Sequence, residues 1–357
     1  MKRRADHQST MAESHQAERL VPLEYTPPSI AEHLEDLING VSYTHYSTLP
    51  TNISTNDAST ETLGTPVVLG VDEAGRGPVI GPMVYGIFYL PIELQHSLLA
   101  GTHHFDDSKV LTPLVRARLM RTLCTPGTDL YQNCGWAIKS LSAQDIGAGM
   151  MRNAGSYNLN AQAMDATIEV IRGVLERGLN VVEIYVDTIG QPGVYQKKLQ
   201  ALFPTVKVTV EKKADSLFPC VSAASVVAKV SRDVSCEVMY SEIVKGSEQD
   251  MEDDGIMVVD EVGWGSGYPS DAKCVTWLKG NLDDVFGWGS ECRFSWGTVK
   301  DMLDEKSRAI QVDWPDDDHE NNKLSQYFGV GGAASGTKTE EQELRNWFGT
   351  SVGQEVF

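Results

Sequence analysis

Short apolar runs bounded by glycine or proline recur along this chain. They fall at 67–71 (VVLGV), 83–90 (MVYGIFYL), 136–141 (WAIKSL), 181–186 and 206–210, and each predicts a buried strand. Between them the period changes. Ala163, Thr167, Val170, Ile171 and Val174 repeat at helical spacing and predict a long helix closed by Gly178. Thr112 followed by Pro113 predicts a helix start, with the helix running to about Leu123 and showing Arg116, Arg118 and Arg121. Ser142 caps a shorter helix, and 194–202 predicts another. The segment SAASVVAKVSRD predicts a helix whose small residues (Ser222, Ala223, Ala224, Ser225, Ala228) allow close approach to a sheet. Its Ser225, Lys229 and Arg232 share one face. Ser270 predicts a cap for a helix through Trp277, and 298–310 a further helix.

The brief Gly-Pro link between the first two runs favours an antiparallel hairpin, and a long helix between two strands implies a parallel crossover. The order therefore predicts a mixed sheet in one α/β domain. Its flanks read differently. Residues 1–62 are polar and rich in Ser, Thr, His and Asn, so mostly disorder is expected, with a short helix near 30–38. Residues 246–262 hold seven acids and no Lys or Arg, which predicts an exposed insertion; Asp250, Glu252 and Asp254 lack the rest of a calcium-loop pattern. From 313 the chain is acidic and then Gly-rich.

Composition narrows the choice. The 357 residues carry a net charge of -19, against any hold on nucleic acid by bulk charge. A local basic groove remains open, with Arg116, Arg118, Arg121, Lys212 and Lys213 available to build it. Six cysteines without a CxxC pair read as reduced thiols, not zinc ligands or disulfides. No apolar run approaches a membrane span, and the N-terminus lacks a signal-peptide core.

The candidate chemistry sits at strand ends. The run from 67 ends in Asp72-Glu73, then Gly75-Arg76-Gly77-Pro78: acid delivered to a Gly-rich loop with one fixed cation. Neighbouring strand residues face opposite ways, so the two acids share a site only where the strand ends or bulges. Asp187 ends the run at 181–186, and Asp215 precedes the small-residue helix. Each alone also fits a turn or helix cap. Together, without His or Cys, they suit a hard divalent cation, and two such ions about 4 Å apart promote in-line phosphodiester displacement.

DEAGRGP, DSK, YNLNA, YVDTIG, KADSLFP with SAASVVAKVSRD, GSGYPSD and FGW…RFSWGT occur in one order. Over residues 67–313 the chain resembles the type 2 ribonuclease H family, and its long C-terminal part resembles the eukaryotic catalytic-subunit branch. The resemblance implies a ribonuclease H-like five-stranded mixed sheet flanked by helices. With the composition of the flanks, the expected division is a tail over 1–62, a catalytic domain over 63–285, a helical extension over 286–312, and a largely disordered partner-docking tail over 313–357. The implied activity is cleavage of the RNA strand of RNA/DNA hybrids and incision 5′ to single ribonucleotides in duplex DNA. Mg²⁺ or Mn²⁺, two ions per site, would serve it, leaving 3′-hydroxyl and 5′-phosphate ends, in primer and ribonucleotide removal.

By motif match, Asp72, Glu73, Asp187 and Asp215 are implied metal ligands and catalytic groups. Gly75, Arg76 and Gly77 are implied readers of the ribose 2′-hydroxyl, and Tyr268 stacks at the RNA–DNA junction. Lys109, Asn158, Lys229 and Arg232 are further implied substrate contacts. The family also implies two non-catalytic subunits in a heterotrimer and work in the nucleus, where Lys2-Arg3-Arg4 is a minimal targeting patch. Residues 341–348 have sliding-clamp-box spacing, with Glu341 where such boxes carry Gln. Two rivals are a ribose-blind nuclease of the same fold class and a scaffold that has lost its metals.

Overall fold

The computed structural model describes residues 25–57, 59–105, 111–152, 157–188, 190–249, 263–304, 312–313 and 350–351. Short helices α1 (Pro28–Ala31) and α2 (Leu34–Ile38) precede strand β1 (Tyr43–Tyr46). The hairpin β2 (Pro66–Ala74) and β3 (Met83–Pro91) follows, antiparallel as expected. Helices α3 (Pro113–Cys124) and α4 (Asp129–Asn133) lead to β4 (Gly135–Leu141) and α5 (Ala143–Met150). Helix α6 (Leu159–Glu176) crosses to β5 (Asn180–Asp187), and α7 (Pro192–Leu202) crosses to β6 (Lys207–Glu211). Both crossovers give parallel neighbours. After α8 (Pro219–Gln249) come α9 (Ala272–Gly280) and α10 (Gly297–Asp304). Thr112 and Ser142 cap their helices as predicted; Asp271, not Ser270, caps α9.

The sheet order is β1-β4-β3-β2-β5-β6, so the strand ending in Asp72-Glu73 is central and has β5 beside it. One face packs on α8, the other on α6 and α7. The small-residue stripe of α8 has its reason here. A Cβ at Gly70 would lie 2.4 Å from the Cys220 carbonyl carbon, and one at Gly86 would lie 2.6 Å from the Ala224 carbonyl oxygen. Backbone touches backbone, and no larger side chain fits at either site.

Two expectations are corrected. The sheet has six strands, not five, because β1 pairs antiparallel with β4. Residues 25–57 are therefore part of the fold, and the expected tail boundary at 62 is too late. The sequence signal is weak because β1 buries Tyr43 and His45 instead of aliphatic residues. Tyr43 stacks on His33 with ring centroids 4.4 Å apart, and His45 lies 5.1 Å from Trp136. The boundary at 285 also fails to divide the core, since Cys274, Leu278, Trp288, Cys292 and Val299 join the α8-side cluster. Residues 312–313 pair with 350–351 in a separate two-stranded sheet. The core of the acidic insertion (250–262) and the clamp-like stretch (341–348) lie outside the described residues, as do Lys2, Arg3 and Arg4. All six cysteines are free.

Candidate active site

Strand β2 stays regular through Ala74, with its one register irregularity at Val67–Val68. Asp72 and Glu73 therefore leave opposite faces of the sheet. Asp72 pairs with Gly86 on the α8 side; Glu73 pairs with Tyr85 on the other. Asp187 ends β5 one residue past the Val71–Val186 pair, level with Asp72. Its Oδ1 accepts the Ala214 amide at 2.8 Å, which brings the Ala214–Ser216 turn, and with it the buried Asp215, to the same edge. Three aspartates thus gather on the α8 side, and Glu73 meets them around the strand end.

The charges feel one another. Burial and then the Glu73 charge push the Asp72 carboxyl well up; the nearby Ser225 hydroxyl, which makes no formed hydrogen bond, opposes this, and Asp187 adds to it. Burial raises Glu73 to about 7, with Arg76 pulling it down and Asp187 pushing it up. Asp187 is raised by burial, against the Ala214 amide, with Asp215 adding. Crowded like charges of this kind fit a cation. The donors are oxygen alone, which suits a hard divalent ion. Among the described residues no three acidic, His or Cys side chains already close around one point.

The Gly75-Arg76-Gly77 loop is held by its carbonyls. Arg293 is fully buried. Its Nη2 donates to Gly75 O at 2.6 Å and Gly81 O at 2.8 Å, its Nη1 to Arg76 O at 3.0 Å, and its Nε to Gly81 O at 3.0 Å. Trp296 lies 4.8 Å from the guanidinium carbon and donates Nε1 to Gly77 O at 3.0 Å. Every carbonyl of the three-residue loop is thus occupied by one of these two side chains. Burial and then Arg232 lower the Arg293 pKa to about 9, still cationic at neutral pH. Gly75 has φ +75°, and a Cβ there would lie 2.5 Å from Pro82 O, so only glycine fits. A Cβ on Gly77 would lie 2.9 Å from Tyr268 Cε1, so the Tyr268 ring rests on the loop while remaining 44% exposed.

The further candidates separate. Arg232 donates Nη2 to Ser266 O at 2.9 Å and pairs with Asp233 at 3.0 Å, tying the Tyr268 loop to α8. Lys229 is half-buried on the same helix. Asn158 is the α6 N-cap, its Oδ1 accepting the Asn160 and Ala161 amides at 3.0 Å. The contact to the loop comes instead from Asn160, whose Oδ1 accepts from Arg76 Nη2. Lys109 lies outside the described residues. Arg118 and Arg121 are exposed on α3, whereas Arg116 turns to Leu111 O and Asp233. Arg293 and Trp296 enter the sequence reading only as parts of a motif. Their signal is an arginine between Cys292 and Phe294, in apolar company that a solvated cation avoids.

A strand-edge cluster of carboxylates beside a clamped glycine–arginine loop, on a mixed sheet crossed by helices, defines a ribonuclease H-like nuclease. The family model described as ribonuclease HII matches residues 69–299. The chain is similar to the A subunit of ribonuclease H2 from Neurospora crassa, 51% identical over 336 residues, which cover 93% of this chain and 97% of that one. The Schizosaccharomyces pombe protein of the same name is 48% identical over 257 residues, 71% of this chain and 73% of that one. The crystal structure of ribonuclease H2 from Pyrococcus horikoshii OT3, 28% identical, covers 66% of this chain and 96% of that one, with a TM-score of 0.49. The chain belongs to the ribonuclease HII family, with the resemblance to the eukaryotic catalytic-subunit branch upheld, and is a ribonuclease H acting on RNA/DNA.

Proposed function

We propose that the chain incises 5′ to single ribonucleotides in duplex DNA as well as cleaving the RNA strand of hybrids. The observation that carries this reading is the contact of Gly77 with Tyr268, next to carbonyls already committed to Arg293 and Trp296. A loop whose carbonyls are already taken has its amides and bare glycine backbone left to offer a sugar edge. Tyr268 then supplies a ring to stack on the next sugar. A site so built checks one 2′-hydroxyl and needs no run of ribose.

In this reading Asp72, Glu73, Asp187 and Asp215 hold two divalent ions, Mg²⁺ or Mn²⁺. Ions held there would supply activation of the attacking water and stabilisation of the leaving oxygen, the chemistry that leaves 3′-hydroxyl and 5′-phosphate ends. Arg76 clamps a phosphate beside the cut. The α8 face carrying Ser225, Lys229 and Arg232 runs from the acids to the loop, which lets one helix keep metal site and sugar reader in register. The relatives are named as one lettered member of a ribonuclease H2 assembly, and we read this chain as working with non-catalytic partners.

Cleavage of a duplex with one ribonucleotide, against an all-DNA control, in Mg²⁺ and in Mn²⁺, tests the reading. A cut immediately 5′ to the ribonucleotide with the control intact is expected. Equal cutting of both duplexes overturns it.

A further inference from the structure

We propose that Asn160 is a positioning residue for Arg76, fixing the direction of a side chain whose backbone is fixed by others. Arg293 and Trp296 hold the loop through main-chain carbonyls and do nothing to aim the Arg76 side chain. That task falls to Asn160, 84 residues away in sequence. It sits in the first turn of α6, and its own amide is already satisfied by the Asn158 cap. Its side chain is therefore not needed to start the helix. It reaches out and accepts from Arg76 Nη2. Helix α6 is a firm base for such a contact, since Ala163, Ala166, Val170, Ile171 and Val174 are buried against the sheet.

The guanidinium also has the Tyr85 hydroxyl and the Glu73 carboxylate as neighbours. Elements α6, β3 and β2 thus adjoin it, and Tyr195 of α7 also feels its charge. Glu73 alone would draw Arg76 down onto the acids. The Asn160 carbonyl draws it the other way, toward the α6 start, without adding a charge that would compete with substrate phosphate. A helix N-terminus by itself repels a cation; a neutral side-chain oxygen placed there turns repulsion into a hydrogen bond. An aimed arginine spends less rotamer freedom when a phosphate binds, which appears as tighter substrate binding and not as faster chemistry.

The inference rests on the reading of Arg76 as a phosphate clamp, so the test separates the two. The full chain, with its partner subunits, is compared with Asn160→Leu, Asn160→Asp, Arg76→Ala and the Arg76→Ala/Asn160→Leu double variant on the single-ribonucleotide duplex. Asn160→Leu keeps the shape and removes the acceptor. Its KM should rise by roughly 3- to 10-fold, the net effect of one solvent-exposed hydrogen bond, with kcat within about 2-fold. Asn160→Asp keeps the acceptor but adds a negative charge that competes with substrate phosphate for Arg76, so its KM should also rise, and by less as salt is added. In the Arg76→Ala background the Leu substitution should add nothing. A wild-type KM for Asn160→Leu overturns the inference, as does an equal rise in KM with and without Arg76. Full activity of Arg76→Ala alone is a different result, and it removes the phosphate-clamp reading.

Discussion

Arg293 Nη2 reaches the Gly75 carbonyl at 2.6 Å across 218 residues of sequence, so the C-terminal part of the chain holds the loop that follows the first acids. The residue is fully buried and satisfied by backbone, with no carboxylate among its described hydrogen-bond partners. Arg293→Lys keeps the charge but loses the planar fork. It should fold, yet cleave the single-ribonucleotide duplex at least about 10-fold more slowly, because lost loop geometry of one such bond is worth about 1.5–3 kcal/mol. Arg293→Gln also leaves carbonyls unpaired, and at roughly 2–4 kcal/mol should lower the melting temperature by several degrees. Calorimetry beside steady-state cleavage checks both; wild-type kinetics in the Lys variant would remove the clamp from the account.

Gly77→Ala makes the opposite kind of demand. The new methyl would lie 2.9 Å from Tyr268 Cε1, too close to stay. The ring is partly exposed and able to move, so stability should change by less than about 1 kcal/mol. Cleavage 5′ to a single ribonucleotide should nonetheless fall by more than about 10-fold, since the ring and the loop no longer meet at the sugar. The contrast between intact melting and lost cleavage is the readout. Loss of both together would mean that the contact is structural.

The clamp and the loop also show what the sequence makes legible. The strands rich in Val and Ile are plain, because a buried central strand shows as a short apolar run. So are the α8 small residues, since close helix–sheet contact forbids large ones. The four acids are visible as strand-end residues, but their faces are not. Regularity of β2 through Ala74 puts Asp72 and Glu73 on opposite sides, a matter of one residue of strand length. Asn158 and Asn160 are indistinguishable as letters: one caps a helix, the other holds Arg76, and only the turn of α6 separates them. Arg293 is opaque for a related reason. Its partners are carbonyls, which every residue carries, so no complementary side chain marks it.

Strand β1 yields a prediction of its own. Tyr43 is buried, stacks on His33 and pairs across from Ser140 at the sheet edge. Tyr43→Ala should cost roughly 3 kcal/mol, in line with large-to-small changes at buried aromatic positions. Removing residues 1–46 deletes the strand and bares the β4 edge, which invites pairing between copies. The shortened protein should form soluble oligomers or aggregate where the full chain does not. Light scattering at matched concentration decides; a monodisperse, fully active shortened protein would show that β1 is dispensable.

The acid cluster sets a pH dependence with a definite sign. Asp72, Glu73 and Asp187 all have folded pKa values raised above their ordinary ones, Glu73 to about 7. Between the ordinary carboxylate range and these values the folded state holds protons that the unfolded state has released. Stability contributed by the cluster therefore falls as pH rises through that window, and the Glu73 share of the penalty is complete only above about 7. Without divalent ions, the melting temperature of wild type should drop more steeply between pH 5 and pH 8 than that of Asp72→Asn, which has one fewer acid to ionise. Divalent ions replace the missing protons, so Mg²⁺ should raise the melting temperature more at pH 8 than at pH 5. Asp72→Asn should be the more stable protein at pH 8 without metal and should cleave nothing. Parallel pH slopes for the two proteins, with equal Mg²⁺ shifts at both pH values, would mean that the four acids are not one coupled, cation-binding group.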